Sequence, residues 1–233
     1  MSRTTPAARP ACRPTVAKEC PMKNRRLAAS VAVAALAAGA FIGSASAASA
    51  APAPRSLASV LAADGSGFDR NWYDFDIVDN AVNAVLAAKP DSPVAVLADG
   101  TVPLTAFLPN DRAFQVLALD LTHRWYGSEK KVFTAVASAV GIDAIEQVLL
   151  YHVVPGVTID SATALASDGA VLTTAQGGTF TVDVLSKRIP LVVLKDADRN
   201  DVNPLLVRSK LDLNKGNPQI AHGITFVLRP LDL

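Results

Sequence analysis

Apolar side chains recur at every third or fourth position through much of the first half of the chain, which is the spacing of one helix face. A short helix is predicted from about Ser56 to the glycines of DGSG. A second helix of about 13 residues is predicted around Ile77–Val85, with Asp74 or Asp76 as its N-cap and Pro90 after its end.

The same spacing predicts further helices between residues 110 and 152. NDRAFQVLALDLT begins at a capping Asn110, and SEKKVFTAVASAVG begins at Ser128 and ends at Gly141. In DAIEQVLLYH, Asp143 and Glu146 have the spacing of a capping box, which predicts another helix start there.

A period of two predicts strands elsewhere. VAVLADGTVPLTAFLP is predicted as two strands joined by a turn at Asp99-Gly100. In the second half, GAVLTTAQGGTFTVDVL divides into two strands at Gly177-Gly178, and IPLVVL, VNPLLVRS and HGITFVLRPL are predicted as further strands. A helical half followed by a strand-rich half predicts an α+β fold rather than alternating α/β.

The N-terminal 50 residues have the organisation of an export signal. Basic KNRR precedes 17 almost continuously apolar residues, Leu27–Gly43, and two A-x-A cleavage sites follow at residues 45–50. We predict a cleaved signal peptide over residues 22–50. The alternative is an uncleaved membrane anchor, although a spanning helix needs about 20 residues. Residues 1–21 are predicted to be an over-extended or disordered N-terminus.

Removal of this segment changes the composition that remains for folding. Both cysteines, Cys12 and Cys20, precede the apolar run, so the exported chain has no disulfide and no cysteine nucleophile. From residue 51 onward there are 15 basic and 20 acidic residues, a net charge of −5. Nucleic acid is therefore an improbable partner. We predict a short linker at 51–56 and one domain at 57–233.

The sequence offers little that is typical of an enzyme or a metal site. No G-x-S-x-G nucleophile motif occurs, and the three histidines, His123, His152 and His222, lack the spacing of zinc ligands. Residues 196–203, DADRNDVN, have the D-x-D-x-N rhythm of a calcium loop. They lack its glycine at position six and its glutamate at position twelve, so we interpret them as a solvated loop between strands. No catalytic residue, cofactor or metal is predicted.

Two groups of aromatic residues are candidates for a ligand surface. One lies in FDRNWYDFD and the other in RWYG. If exposed together, these side chains could bind sugar; the more common role of such clusters is to cover the core. The candidates are Trp72, Tyr73, Phe75, Trp125 and Tyr126.

Three segments resemble the fasciclin-like domain family. TAFLPNDRAF is similar to its first signature, VLLYHVVPG to its second, and QIAHGITFVLRPL to its closing strand, where Ala-His-Gly replaces the usual Asn-Gly. This departure suggests a secreted bacterial branch of actinobacterial type. The signature residues are Thr105, Phe107, Pro109, Asn110, Phe114, Leu149, Tyr151, His152, Pro155, Gly156 and His222.

The resemblance implies a wedge of two mainly antiparallel sheets with helices along one side, and a non-enzymatic role in adhesion at the cell surface. The implied partner is a protein or a cell-wall or matrix component; a glycan or small-ligand binder is the alternative. In some animal members the Tyr-His pair is linked to integrin recognition, so Tyr151 and His152 could contact a partner. We expect instead that neutral His152 fastens the two signatures by bonding near Asn110 or Thr105.

Overall fold

The computed structural model describes residues 53–65 and 67–230, except for the side chain of Asp64. The predicted signal peptide, the N-terminal extension and most of the cleavage region lie outside the described residues. Helices and strands divide as the sequence predicts, with helices dominating up to Tyr151 and strands after it.

Five α-helices and six strands form the described fold. The helices are α1 (Leu57–Leu61), α2 (Asp76–Ala88), α3 (Asp111–Thr122), α4 (Glu129–Tyr151) and α5 (Ser161–Ala166). The strands are β1 (Leu104–Pro109), β2 (Val153–Pro155), β3 (Val171–Thr173), β4 (Thr179–Ser186), β5 (Leu191–Lys195) and β6 (Gln219–Ile224). Three 3₁₀ segments occur at Ala62–Asp64, Pro93–Ala98 and Arg208–Lys210.

The strands form two three-stranded sheets. In the first, of order β2-β1-β6, β1 is antiparallel to β2 and parallel to β6. The second, of order β3-β4-β5, is antiparallel throughout. The α+β prediction is confirmed. The parallel β1–β6 pair brings the start of the domain and its C-terminal strand together.

Strand β1 is buried along its whole length and separates two apolar cores. Because side chains alternate across a strand, Leu104, Ala106 and Leu108 enter a core shared with α1–α4. Phe107 points the other way, into a core shared with the second sheet, where its ring meets Phe180 edge-on at 5.3 Å. The first sheet is therefore the middle layer between helices and second sheet.

The prediction of a strand before Asp99-Gly100 is wrong. Residues Pro93–Ala98 form a 3₁₀ helix whose first turn is capped by the Ser92 hydroxyl, which accepts from Val94 N–H. Val94 and Leu97 are buried while Ala95 is exposed, a spacing of three rather than two. Alternation over so few residues does not distinguish a strand from a 3₁₀ turn.

The predicted strand VNPLLVRS is also wrong. Leu205 makes an isolated bridge to Val193 of β5, and Leu206 makes one to Ile224 of β6, so the segment joins the two sheets without belonging to either. Pro204, which has no N–H to donate, precedes both bridges.

The N-cap predicted for α2 is wrong as well. Helix α2 starts after Phe75, and neither Asp74 nor Asp76 is its cap. The carboxylate of Asp111, the first residue of α3, instead accepts a hydrogen bond of 2.9 Å from Ile77 N–H. A side chain from a distant helix thus satisfies a free donor of the first turn.

Helix α4 consists of two helices that meet at Gly141, as predicted, where φ of +78° requires glycine. The capping box predicted after it is not formed, because the Glu146 carboxylate contacts Lys89 Nζ and Ser92 Oγ. Taken as one helix of 23 residues across the break at Gly141, α4 is also long and apolar enough for a membrane span by length and composition. Its Ile145 and Leu149 lie in the helical core.

Gln219, the first residue of β6, joins three otherwise separate segments. Its fully buried amide accepts from Leu57 N–H at 2.7 Å and donates to Val96 O at 2.7 Å and Asp99 O at 2.9 Å. One side chain thus connects α1, the 3₁₀ turn and the C-terminal strand.

We therefore expect Gln219→Leu to lower the free energy of unfolding by about 3 kcal/mol or more, because one buried donor and two buried acceptors lose their partner. Chemical denaturation measures this loss. Gln147→Leu, at an exposed position of α4, is the matched control and should change stability by about 0.5 kcal/mol or less. Equal stability of the two variants would contradict the role assigned to Gln219.

Candidate functional site

The His152 ring lies between α4 and the C-terminal segment and is 4% exposed. Its Nδ1 lies 2.7 Å from Val148 O, and its Nε2 accepts from Leu228 N–H at 2.9 Å. The proton must therefore reside on Nδ1, which fixes a neutral tautomer. The predicted partners near Asn110 or Thr105 are wrong, because Val148 of α4 and Leu228 in the segment after β6 supply both contacts.

The second buried histidine has the opposite tautomer. His222 Nε2 lies 2.8 Å from Ile159 O, while Nδ1 accepts from Asp212 N–H at 3.2 Å. Burial lowers the pKa of both imidazoles, that of His152 to about 4. Backbone groups thus bond to both nitrogens of each ring and keep the rings neutral. Neither histidine has a nitrogen free for acid–base or metal chemistry.

Tyr151 is fully buried, and its hydroxyl donates to Thr179 O at 2.7 Å. Burial raises the pKa of this phenol to about 12. Thr105 Oγ1 donates to Val157 O and accepts from Ile159 N–H, both at 2.8 Å. These side chains face inward, so a partner that approaches the folded domain would not meet Tyr151 or His152.

The remaining signature residues also lie in structural positions. Asn110 caps α3 as predicted by accepting from Ala113 N–H at 3.0 Å. Gly156 takes a φ of +78° and donates its N–H to Pro103 O. The others lie at the end of β1, in the two cores or at the end of β2: Phe107, Pro109, Phe114, Leu149 and Pro155.

We expect His152→Ala to lower the free energy of unfolding by about 1 to 3 kcal/mol, because Leu228 N–H and Val148 O lose their buried partner. Thermal or denaturant unfolding measures the loss. His123→Asn is the control, since His123 is exposed and its left-handed backbone tolerates asparagine. An unchanged midpoint in His152→Ala would refute the role of this ring.

The difference in stability between the parent and His152→Ala should also depend on pH. The pKa of His152 is lowered, so the unfolded state binds its proton first as pH falls below about 6.5. The stabilisation by the neutral ring is complete above that pH and is lost toward pH 4. We expect the parent to lose about 3 kcal/mol relative to His152→Ala between pH 7 and pH 4, so that the difference between the two proteins vanishes or reverses. A difference that is constant with pH would contradict a neutral, buried imidazole.

The five candidate aromatics do not behave alike. Trp72, Phe75 and Tyr126 are half-buried against the helical core. Tyr73 is 68% exposed and Trp125 is 47% exposed. The FDRNWYDFD cluster therefore mainly covers the core, and the RWYG segment carries the larger exposed ring system.

Cations cover the exposed rings around Trp125. The Arg112 guanidinium lies 4.8 Å from the Trp125 ring centre, and Arg124 lies 5.6 Å from that of Tyr126. Arg112 also donates to Gln115 Oε1 at 2.7 Å, and Gln115 Nε2 donates to Tyr126 O at 2.6 Å. We call Arg112, Arg124, Trp125 and Tyr126 the Trp125 patch. Sequence analysis identified its aromatics but not its arginines.

Residues 196–203 form a largely exposed loop after β5, as interpreted from the sequence. Its Asp198 is the exception, at 3% exposed, and faces the buried Arg229. The Arg229 guanidinium lies 2.9 Å from Asp201 and 3.6 Å from Asp198, and its backbone N–H donates to Asp196 at 2.8 Å. Arg229, which lies 28 residues beyond Asp201 in the chain, thus neutralises aspartates of the segment whose D-x-D-x-N spacing resembles a calcium loop.

A second acidic cluster was missed by sequence analysis. Asp76, Asp111 and Glu129, the first residues of α2, α3 and α4, are buried and place carboxylate oxygens within 4.8 Å of one another. Asp69 and Asp74 form an equally close group with Asp76. These residues span 60 positions of sequence without any ligand spacing, so only the packing of three helix starts brings them together.

Comparison with known proteins gives a family match and a distant structural likeness. The sequence model of the Fasciclin domain matches residues 79–201. Among solved structures, the chain is similar to a FAS1 domain pair from the insect cell adhesion molecule Fasciclin I, with 17% identity and a TM-score of 0.46. That match covers 67% of this chain and 48% of the other, so this chain spans about half of that structure's length. No curated protein matches.

Proposed function

Because the chain belongs to the fasciclin domain family, whose members are generally extracellular adhesion or interaction modules, we propose that it is an exported, non-enzymatic adhesion module. It acts at the cell surface or in the extracellular space, and its partner is a protein or another component of the cell wall or matrix. The predicted signal peptide at residues 22–50 supports the export route.

The observation that carries this proposal is the Trp125 patch. Tryptophan, tyrosine and arginine are the residues that most often dominate protein interfaces. Here they lie together on the surface, and Arg112 is already held by Gln115 beneath the Trp125 ring. A side chain that is fixed before binding loses less entropy when a partner docks. The buried Tyr151–His152 pair offers no comparable surface.

A groove beside the patch favours a second candidate, the binding of a glycan or small ligand. This groove of about 730 Å³ has Tyr126 at its edge and polar side chains along its length. Its hydrogen-bonding and basic residues are Thr122, Lys130, Lys131, Thr134 and Ser138. An aromatic ring among donors and cations suits a sugar with acidic groups.

We expect Trp125→Ala to reduce retention of the captured envelope component about 30-fold, which corresponds to loss of an interface hot spot. The experiment immobilises the purified domain, captures envelope components of the producing organism, and compares binding of the captured component to each variant. Leu185→Ala, which removes an exposed apolar side chain (58% exposed) from β4 in the second sheet, is the control and should bind like the parent.

Equal retention by Trp125→Ala and the parent would overturn the assignment of the Trp125 patch. A glycan array and purified cell wall test the second candidate in parallel. Sugar binding that is lost in Lys131→Ala but kept in Leu185→Ala would favour the groove; no retention on either material would remove that candidate.

A further inference from the structure

The described part of the chain contains two acidic clusters with buried carboxylates, and they differ in one respect. Around Arg229, three aspartates share a guanidinium. At the start of α2, α3 and α4, in contrast, none of the ion pairs found within the described residues involves Asp74, Asp111 or Glu129. Within the described residues, Asp74, Asp111 and Glu129 therefore lack a protein cation like the one that Arg229 provides.

Glu129 is the most informative member of this second cluster. Its side chain is fully buried, and neither of its carboxylate oxygens has a hydrogen-bond partner. Asp111 Oδ2 and Asp74 Oδ1 are likewise buried without a partner. Unpaired buried carboxylate oxygens are destabilising, since desolvation is not compensated.

The helix starts alone do not account for this arrangement. Three helix N-termini give a partial positive charge that favours anions, and Asp111 uses one oxygen in this way to cap α2. Asp74 Oδ1, Asp111 Oδ2 and both oxygens of Glu129 accept no hydrogen bond from these helix ends. Something else must therefore neutralise them, either shared protons or a bound cation.

The number and chemistry of the donors favour calcium. Two oxygen ligands of one calcium ion, at 2.3 to 2.6 Å each, lie at most about 4.6 to 5.2 Å apart. Magnesium usually keeps several waters and binds through only one or two carboxylates, whereas the two groups that share Asp76 offer five. The oxygens of Asp76, Asp111 and Glu129 lie within 4.8 Å of one another, and all the donors are hard oxygens.

We propose that Asp76, Asp111 and Glu129 form the centre of a divalent-cation site that prefers calcium. Asp69 and Asp74, which form a close group with Asp76, supply further oxygens toward the six to eight that calcium takes. Asp76 also lines a pocket of about 280 Å³ together with Phe75 and Lys210. The ion would tie together the first turns of α2, α3 and α4.

The acid–base properties of the cluster are consistent with this role. Burial and the neighbouring Asp74 raise the pKa of Asp111 to about 9, and burial raises the pKa of Glu129. Without a cation Asp111 holds a proton at neutral pH; calcium would displace it. The competing explanation is that the protons remain and no metal binds.

The test measures thermal unfolding of the purified protein after EDTA treatment, with and without CaCl₂ or MgCl₂ up to about 10 mM, a concentration that covers the weak affinities of extracellular calcium modules. We expect the midpoint to rise by roughly 5 °C or more once calcium exceeds its dissociation constant about 100-fold. Magnesium should give a smaller rise. Isothermal titration calorimetry of the same sample measures the affinity directly.

Glu129→Gln keeps the shape of the side chain and removes its charge. In EDTA it should be at least as stable as the parent, because a buried amide needs neither a proton nor a cation to be neutral, yet its calcium-dependent shift should be lost. Asp111→Asn, which keeps an oxygen for Ile77 N–H, is the second variant and should lose the shift as well. Asp91→Asn, at an exposed position away from the cluster, should respond to calcium like the parent.

Two outcomes would overturn the proposal. The first is a parent protein whose midpoint does not respond to calcium and which releases no heat on titration; the cluster would then be neutralised by shared protons. The second is a calcium response that Glu129→Gln and Asp111→Asn retain, which would place the ion elsewhere. Neither outcome bears on the adhesive role, which depends on the Trp125 patch.

Discussion

Strand β1 is covered on both faces, and the rest of the domain is arranged around that constraint. A strand in this position must pair its backbone on both sides and fill a core above and below. Pairing comes from β2 and from the C-terminal β6, and the two cores come from the helices and the second sheet. Residues next to β1 hold these layers together. Gln219, the first residue of the neighbouring strand β6, bonds to α1, and Asn110 caps α3 directly after β1.

Buried polar side chains connect the layers by bonding to backbone rather than to one another. His152 joins α4 to the segment after β6, and His222 joins β6 to the loop at Ile159. Thr105 holds the same loop from β1. In each case a neutral side chain satisfies backbone groups that the irregular connections leave unpaired. This use explains why histidine and tyrosine occur in the signatures without offering a reactive surface.

The charged groups follow a different principle. Buried carboxylates need a cation or a proton, and the domain solves this problem in one place with Arg229. Where α2, α3 and α4 begin, Asp111 and Glu129 also need a cation or a proton, and no ion pair among the residues described involves them. The Trp125 patch, by contrast, has its arginines outside the core, against the rings of Trp125 and Tyr126.

The amino-acid sequence by itself determined the α+β class, the family, most helix positions and the hairpin of β3 and β4, because these depend on local spacing, caps and glycines. Asn110 caps α3 and Gly141 interrupts α4, as their residue types predict. Tertiary structure decided whatever depended on contacts across the chain. It turned Pro93–Ala98 into a 3₁₀ helix, gave α2 its capping group from Asp111, and supplied Leu228 as the partner of His152.

The two acidic clusters show the same division most clearly. Residues 196–203 form the exposed loop that their sequence suggested, yet its buried Asp198 pairs with Arg229, 31 residues further along the chain. Glu129 and Asp76 carry no motif, yet three helix starts bring them to one point. Local sequence fixes where a helix begins and which side chain stands there. Only the packing of one helix against another decides which charges meet, because electrostatic neutralisation depends on distance in space and not along the chain.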